Sequence, residues 1–139
     1  MIRPATPDDL PRLREVRSWL SEPTPKLLET TISEPGSVFV STADDEPVGY
    51  VLCLVGTDAY IAELVVEPIH RREGRARRLL QTVLDSARDR GCTRVSLTVH
   101  EENEGARSLY ESMGFELVGR ESEYYADGGD GLLFENQLQ

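Results

Sequence analysis

The sequence predicts an α/β fold in which a mixed, mostly antiparallel sheet carries helices on both faces. First, β-rich stretches alternate with segments whose apolar residues recur at helical spacing. Second, the strand, helix and strand between Ala59 and Val99 should form a right-handed crossover with parallel strands. Third, the other strands are expected to pair antiparallel, in part across short polar turns.

Size and charge limit the function. The 139 residues suffice for one domain with its own core, and we expect a single domain over residues 1–139. A net charge of −10 argues against nucleic acid as the main partner, because phosphate binding needs a broad basic face. No stretch approaches the length of a membrane span, and the acidic start, MIRPATPDDL, does not read as a signal peptide. We therefore expect a cytoplasmic protein with no membrane partner.

Cysteine and lysine usage adds two expectations. Cys53 and Cys92 are far apart and show no metal-ligand spacing, so we interpret them as reduced thiols in or near the core and expect no metal. Lys26 is the one lysine, and all other basic residues are arginine. We interpret this acidic, lysine-poor composition as that of an organism with high internal salt. Steering of basic substrates is the alternative.

The first elements follow from turn residues and periodicity. Ile2–Ala5 is expected as a short edge strand. A helix should start at Thr6–Asp9, which offers a capping Thr, Pro at the first position and acids in the first turn. Pro23 and Pro25 interrupt it, and a second helix is expected to reach about Ile32. The apolar face of the first helix comprises Leu10, Leu13, Val16 and Leu20.

Three strands are expected next. Ser37–Thr42 and Val48–Val55 are rich in β-branched and apolar residues and flank a polar turn, so they should form a hairpin. Ala59–Val66 is a third strand, ended by Glu67-Pro68. A long helix then runs to about Arg90, where Gly91 terminates it. Its apolar positions recur at the helical period: Ala76, Leu79, Leu80, Val83, Leu84 and Ala87.

The C-terminal part completes the sheet. Arg94–Val99 alternates in polarity like a half-buried strand. Asn103–Met113 is expected to be a short helix that ends at a glycine. Phe115–Tyr125 and Leu132–Leu138 should pair antiparallel across the turn at residues 127–130.

Arginines are concentrated between the third strand and the long helix, at Arg71, Arg72, Arg75, Arg77 and Arg78. A turn from a strand into a helix points backbone N–H groups outward, and the helix dipole makes that end attractive to anions. Gly74 allows a ligand to approach the backbone closely, and Ala76 is too small to obstruct it. The pattern lacks the Gly-Lys-Ser/Thr ending of the P-loop. We predict a phosphate site, for a pyrophosphate, against the alternative of solvated arginines at a helix start.

Two motifs resemble the GNAT (GCN5-related N-acetyltransferase) superfamily. Arg71-x-x-Gly74-x-Ala76, after the strand that ends at Val66, resembles its motif A, Arg/Gln-x-x-Gly-x-Gly/Ala. Downstream, the run from Asn103 to Phe115 resembles motif B, including Leu-Tyr-Glu-x-x-Gly-Phe. The resemblance covers essentially the whole chain and is firmest from Glu63 to Phe115. Within the superfamily, the chain most resembles the ribosomal-protein-alanine N-terminal acetyltransferases. The resemblance implies the GNAT fold, with a splayed parallel pair of strands, and acetyl-coenzyme A as co-substrate.

The resemblance also implies roles for individual residues. The backbone of Leu64, Val65 and Val66 would pair with the pantetheine arm, and Asn103 would hydrogen-bond to the same arm. Tyr110 would stand near the thioester sulfur and protonate the departing thiolate, against the alternative of a packed aromatic residue. The pyrophosphate would be held by residues Arg71, Arg72, Glu73, Gly74, Arg75, Ala76 and Arg77.

The general base is less defined by the sequence. Where the resembling N-terminal acetyltransferases carry a Glu in the strand Arg94–Val99, this chain has Thr98, which cannot act as a base. Glu63 is the leading alternative because acids recur at that strand position in the wider family. A charge on the solvent side of a half-buried strand is an equally good interpretation of Glu63. His100 and Glu101 are further alternatives.

The expected acceptor is the α-amine of a protein N-terminus. An α-amine is roughly a tenth neutral at pH 7, whereas a lysine amine is well under a thousandth neutral, so a site without a strong base suits the former. Tyr124-Tyr125 also resembles an aromatic pair of N-terminal acetyltransferases, with ordinary strand aromatics as the alternative. Small-molecule amines, or a catalytically weak acyl-coenzyme A-binding module, remain alternative functions. We expect a monomer or a homodimer.

Overall fold

A computed structural model describes residues 1–20, 23–24 and 26–138. Within these, no helix combines the length and apolarity that crossing a bilayer requires. The elements in chain order are β1 Ile2–Pro4, a 3-10 turn Pro7–Asp9, α1 Leu10–Arg17, α2 Leu27–Thr31, β2 Val38–Ala43, β3 Glu46–Val55, β4 Ala59–Val66, a 3-10 turn Pro68–His70, α3 Arg75–Asp89, β5 Arg94–His100, α4 Glu104–Ser112, β6 Glu116–Glu121 and β7 Gly131–Gln137.

The strands form one mixed sheet in the order β1-β2-β3-β4-β5-β7-β6. Neighbouring strands are antiparallel except β4 and β5, which are parallel and flank the crossover helix α3. This confirms the expected mixed, mostly antiparallel sheet. The parallel pairing starts at Ala59 opposite Val95 and stops at Ile61 opposite Leu97. The rest of β4 and β5 therefore separates, as expected for a splayed pair.

Helices cover both faces of the sheet, as the alternation of side chains along β3 makes clear. Tyr50 and Leu52 point to one face, where α1 and α2 pack on them. Val51 and Cys53 point to the other face, where α3 and α4 pack. Each face thus has its own apolar core, and both Cys53 and Cys92 are free and buried. Burial raises the pKa of the Cys53 thiol to about 12, so it stays protonated and inert.

The first helix differs from its expected form. The expected start at Thr6–Asp9 is a 3-10 turn, and α1 begins only at Leu10 and ends at Arg17, so Leu20 lies beyond it. The Asp9 carboxylate accepts from the Thr6 backbone N–H at 2.8 Å and is held by Arg3 at 2.8 Å. That ion pair depends on a contact with β1, which no local pattern encodes. Pro25, expected to break the helix, lies outside the described residues.

The last hairpin also differs. β6 ends at Glu121 rather than at Tyr125, so Tyr124 and Tyr125 lie in the connection to β7. The backbone N–H of Glu123, a residue with φ of 52°, donates to the Asp130 side chain at 3.1 Å instead of to a neighbouring strand. The strand is therefore shorter than the apolar and aromatic pattern indicated.

A pH-dependent contact joins α1 to α2. The Glu29 carboxylate accepts from Arg17 and Arg14, each at 2.9 Å, and these hydrogen bonds lower the pKa of Glu29 to about 2. Since the unfolded value is about 4.3, the contact stabilises the fold above that pH and its contribution is lost as the pH falls through about 2.

We expect Glu29→Gln to lower the free energy of unfolding by about 1 kcal/mol at pH 7, because a partly exposed ion pair contributes little more than this to stability. The deficit should shrink as the pH falls through about 4 towards about 2, because protonated Glu29 in the parent protein no longer forms the ion pairs. Urea unfolding at several pH values measures this. The exposed Glu15 on α1 gives the control Glu15→Gln; an equal loss in both variants would contradict the assignment.

Candidate functional site

The separation of β4 from β5 opens a cleft of about 1080 Å³. Its walls are the separated ends of both strands, the start of α4 and part of the connection between β4 and α3. Leu64, Val65 and Val66 line it as expected, and on their other side they pair with β3. Towards β5 this part of β4 has no strand partner among the described residues, so an extended ligand can lie along it.

The turn before α3 presents a row of free backbone donors. Among the described residues, the N–H groups from Arg72 to Arg77 have no hydrogen-bond acceptor. Arg72 and Gly74 have φ of 64° and 77°, which turns the chain so that α3 starts at Arg75. A hollow of about 180 Å³ adjoins this turn, lined in part by Arg71, Arg72, Gly74, Ala76 and Arg77. Such a row at a helix start binds anions.

Several arginine side chains around this hollow, including that of Arg75, which also lines it, are engaged in other contacts. Arg75 donates to Glu73 at 2.8 Å and to the Ser41 hydroxyl at 3.0 Å, so both charged groups are engaged in structural contacts. These two predicted residues can contribute their backbone N–H groups instead. Arg71 donates from Nε to the Val66 carbonyl at 2.9 Å, and Arg77 donates to Ser112 at 2.9 Å.

Arg78 belongs to the arginine cluster noted in the sequence, but it was not among the residues predicted to hold the pyrophosphate. A Cβ added at Gly74 would lie 3.0 Å from its Nη1, so this guanidinium sits directly beside the turn. The available signal was its position four residues after Gly74, which places both on one face of the first helical turn.

Two predicted residues of motif B reach the same cleft. Asn103 caps α4 through Oδ1, which accepts from the Ala106 N–H at 3.1 Å, so its Nδ2 remains available to a ligand. Tyr110 is 8% exposed and packs against Phe115 and Phe134, with ring centroids at 5.8 and 6.4 Å. Burial raises the pKa of Tyr110 to about 12, so its hydroxyl is a proton donor at neutral pH.

Glu63 lies on β4 and is only 4% exposed, which excludes the solvent-side interpretation. Its Oε1 accepts from the Tyr50 hydroxyl at 2.9 Å, and its Oε2 accepts from the backbone N–H of Thr24 at 3.0 Å. Glu63 also lines the cleft, and each oxygen retains a lone pair. Tyr50 belongs to the core under α1 and α2, whereas Tyr110 belongs to the opposite core. The splayed strands thus bring groups from both faces to one cleft.

The other possible bases are engaged elsewhere. Glu101 accepts from Arg120 at 3.1 Å and from the Asp130 N–H at 3.0 Å. His100 accepts at Nδ1 from the Glu102 N–H at 3.1 Å, while its Nε2 lies 2.9 Å from Asp127. Nδ1 therefore holds the lone pair, and the protonated Nε2 donates a hydrogen bond to Asp127.

The same hydrogen bonds bear on metal binding. His100, Glu102 and Asp127 place potential ligand atoms within 4.8 Å of one another. A metal at Nε2 would have to displace the proton that this nitrogen donates to Asp127, and Nδ1 would lose its role as an acceptor. In this structure, His100 therefore serves as a hydrogen-bond partner of Asp127 and of the Glu102 backbone.

Thr98 and the aromatic pair lie nearby. Thr98 Oγ1 lies 3.1 Å from the hydroxyl of Tyr60, a residue that sequence reasoning did not single out. Tyr125 stacks on His100 with centroids 4.8 Å apart, and Tyr124 meets Tyr125 edge-on at 5.0 Å. Tyr125 lines the cleft and Tyr124 contacts it from outside the lining, and neither residue is part of a strand.

Comparison with known proteins agrees with this geometry. The model of the acetyltransferase (GNAT) family matches residues 5–115. N-alpha-acetyltransferase 30 of Schizosaccharomyces pombe is 33% identical, over 86% of this chain and 85% of the relative. The [ribosomal protein bS18]-alanine N-acetyltransferase of Haemophilus ducreyi is 26% identical, over 90% of this chain and 88% of the relative. Arabidopsis thaliana Naa50, solved with the bisubstrate analogue CoA-Ac-MVNAL, superposes with a TM-score of 0.89 at 22% identity. The superposition covers 99% of this chain and 98% of the Naa50 chain. The sequence resemblance is confirmed, and the chain belongs to the GNAT acetyltransferase family.

Proposed function

We propose that this protein transfers the acetyl group of acetyl-coenzyme A to the α-amine of a protein N-terminus. The observation that carries the proposal is the single cleft between β4 and β5. It joins free backbone N–H donors at the start of α3 to a protonated tyrosine and a buried carboxylate. The relatives named for N-terminal acetyl transfer support this choice of acceptor.

The cleft offers a distinct contact to each part of the co-substrate. The pyrophosphate would accept from the N–H groups between Arg72 and Arg77, with nearby guanidinium groups adding charge-assisted contacts. The pantetheine arm would run along Leu64–Val66 as an added strand, and Asn103 Nδ2 would donate to it. In this arrangement the side chains of Glu73 and Arg75 stabilise the turn, and their backbone N–H groups bind the ligand.

Proton transfer would be divided between two residues. The neutral amine attacks the thioester carbon, the C–S bond breaks, and the thiolate takes the proton of the Tyr110 hydroxyl. The nitrogen loses its proton to Glu63, through a water if the two do not touch. The role of Tyr110 matches its protonation state, since burial raises the pKa of its hydroxyl to about 12.

We expect Glu63→Gln to lower kcat/KM about tenfold at pH 7, since roughly a tenth of an α-amine is already neutral there. The deficit should shrink above pH 8, where the amine loses its proton without help. Initial rates from pH 6 to about 9 measure this, at saturating acetyl-coenzyme A. A loss that stays constant across that range would contradict the role as base and indicate a structural effect.

Mass spectrometry of acceptor mixtures tests the function itself. Peptides with free N-termini should gain an acetyl group faster than the same peptides blocked at the α-amine and offering only lysine, and faster than small amines or aminoglycosides. Acetyl-coenzyme A binding without transfer to any acceptor would favour the alternative of an acyl-coenzyme A-binding module. We also propose a cytoplasmic location, which the free, buried Cys53 and Cys92 support.

A further inference from the structure

One imidazole ring contacts three residues of the connection between β6 and β7. His100 is the last residue of β5, and its Nε2 lies 2.9 Å from Asp127 Oδ2 and 3.1 Å from Asp127 Oδ1. Its ring stacks on Tyr125, with centroids 4.8 Å apart and an angle of 24° between the planes. A Cβ added at Gly129 would collide with Nε2 and Cε1 of His100, so the backbone there lies directly against the ring.

The connection itself has no regular secondary structure. Its residues 122–130 form turns and bends and neither a strand nor a helix. The base of the connection is fastened through Asp130, whose side chain accepts from Arg120 at 2.7 Å. The tip, residues 125–129, is joined to β5 by the His100 ring. The position of the tip therefore depends on a side chain that belongs to another element.

The tip forms part of the cleft, on the side away from the proposed co-substrate contacts. His100, Tyr125 and Asp127 line the cleft. Val99 packs into the core beneath α3 and α4, so His100, the next residue on β5, points to the opposite face, where α1 and α2 pack. Since the turn before α3 and Tyr110 on α4 would take the co-substrate, the acceptor would approach along this opposite face.

We propose that His100 is a positioning residue for the acceptor: it holds Tyr125 and Asp127 at the cleft wall, so that the acceptor peptide meets a wall that is already ordered. A wall that becomes ordered only on binding lowers the affinity, because its conformational entropy is lost at that step. The role differs from that of a base, since Nδ1 accepts from the Glu102 N–H at 3.1 Å. The kinetic consequence rests on the proposed function, whereas the link between His100 and the connection does not depend on any reaction.

The direct test is the backbone order parameter of residues 125–129, measured by ¹⁵N relaxation. In the parent protein the values should be about 0.85, as in rigid backbone, and in His100→Ala they should fall below about 0.6. His100→Gln, whose side-chain amide can still donate to Asp127, should remain closer to the parent protein. Glu123, whose N–H donates to Asp130 at 3.1 Å, should stay ordered in both variants.

Gly129→Ala displaces the tip by an independent route. The added methyl group would push the connection away from the His100 ring, and Gly129 does not have a positive φ that the substitution would strain. Residues 125–129 should therefore lose order as they do in His100→Ala. Without the ring the collision is absent as well, so Gly129→Ala should add much less in the His100→Ala background. A double-mutant cycle measures this coupling.

Kinetics provide the second readout, with the peptide that is acetylated fastest in the acceptor screen. His100→Ala should raise KM for this peptide about tenfold, while kcat and the dissociation constant for acetyl-coenzyme A stay within about twofold. His100→Gln should raise KM only about threefold. The dissociation constant of the peptide, measured with coenzyme A in place of acetyl-coenzyme A, should change by the same factors as KM.

A matched control lies at the other end of β5. Asp58 accepts from the Thr93 hydroxyl at 2.8 Å and from Arg94 Nε at 2.9 Å, so Asp58→Ala also removes a side chain that fastens this strand. It should lower thermal stability without changing KM for the peptide or the order of residues 125–129. An equal rise of KM in Asp58→Ala and His100→Ala would mean that His100 contributes only to stability.

The outcomes separate the two proposals. If residues 125–129 stay ordered in His100→Ala, or if they become mobile while KM is unchanged, the positioning role is wrong. A fall in kcat at unchanged KM would also overturn it and would indicate a role in the chemistry. If the parent protein acetylates no amine, the proposed function fails, whereas a loss of order in His100→Ala would still identify His100 as the residue that holds the connection.

Discussion

Gly74→Glu is expected to weaken acetyl-coenzyme A binding at least about 100-fold, or about 2.7 kcal/mol. The substitution places a carboxylate among the N–H donors from Arg72 to Arg77, where the pyrophosphate would lie. The new charge would repel the phosphates and compete for the same donors and for Arg78, whose Nη1 would be 3.0 Å from the added Cβ. Isothermal titration at low and at high salt measures the loss.

A matched control separates charge at the site from backbone strain. Gly91, at the other end of α3, has φ of 82° against 77° for Gly74, and a Cβ there meets nothing within 4 Å. Gly91→Glu therefore imposes a similar conformational cost far from the turn. It should lower thermal stability while binding acetyl-coenzyme A normally. Equal binding losses in both variants would mean that the turn is not a phosphate site.

Tyr110→Phe is expected to lower kcat by about 100-fold to about 1000-fold, the range typical of losing a general acid. Phenylalanine keeps the packing against Phe115 and Phe134, so stability and acetyl-coenzyme A affinity should hardly change. Single-turnover rates with a peptide acceptor measure the chemical step. Because burial raises the pKa of Tyr110 to about 12, the parent protein should show no loss of activity from its deprotonation below about pH 11.

The leaving thiolate offers a further check on this assignment. If the acetyl donor carries a more acidic thiol, its thiolate leaves without needing a proton. Such a donor should react at similar rates with Tyr110→Phe and with the parent protein. If the variant remained slow with such a donor, Tyr110 would serve positioning rather than proton transfer. A kcat within about threefold of the parent with acetyl-coenzyme A would exclude the acid role.

Local patterns were sufficient for most of the fold. Strand β4 has the bounds that its sequence indicated, and α3 begins and ends beside two glycines with positive φ. These features depend on residues within a few positions of one another. The extent of α1 and of β6 could not be predicted in the same way, because the contacts of Asp9 with Arg3 and of Glu123 with Asp130 compete with regular backbone hydrogen bonding.

By itself, the sequence determined the family, the parallel strands of the crossover and the place of the turn before α3, because motif spacing and backbone periodicity are local properties of the chain. Tertiary structure alone decided which side chains are free to act. Arg75 is engaged by Ser41, 34 residues distant, and Glu63 accepts hydrogen bonds from Tyr50 and Thr24, which are 13 and 39 residues from it. Such partners meet only when the sheet and helices pack, since their hydrogen bonds join separate elements.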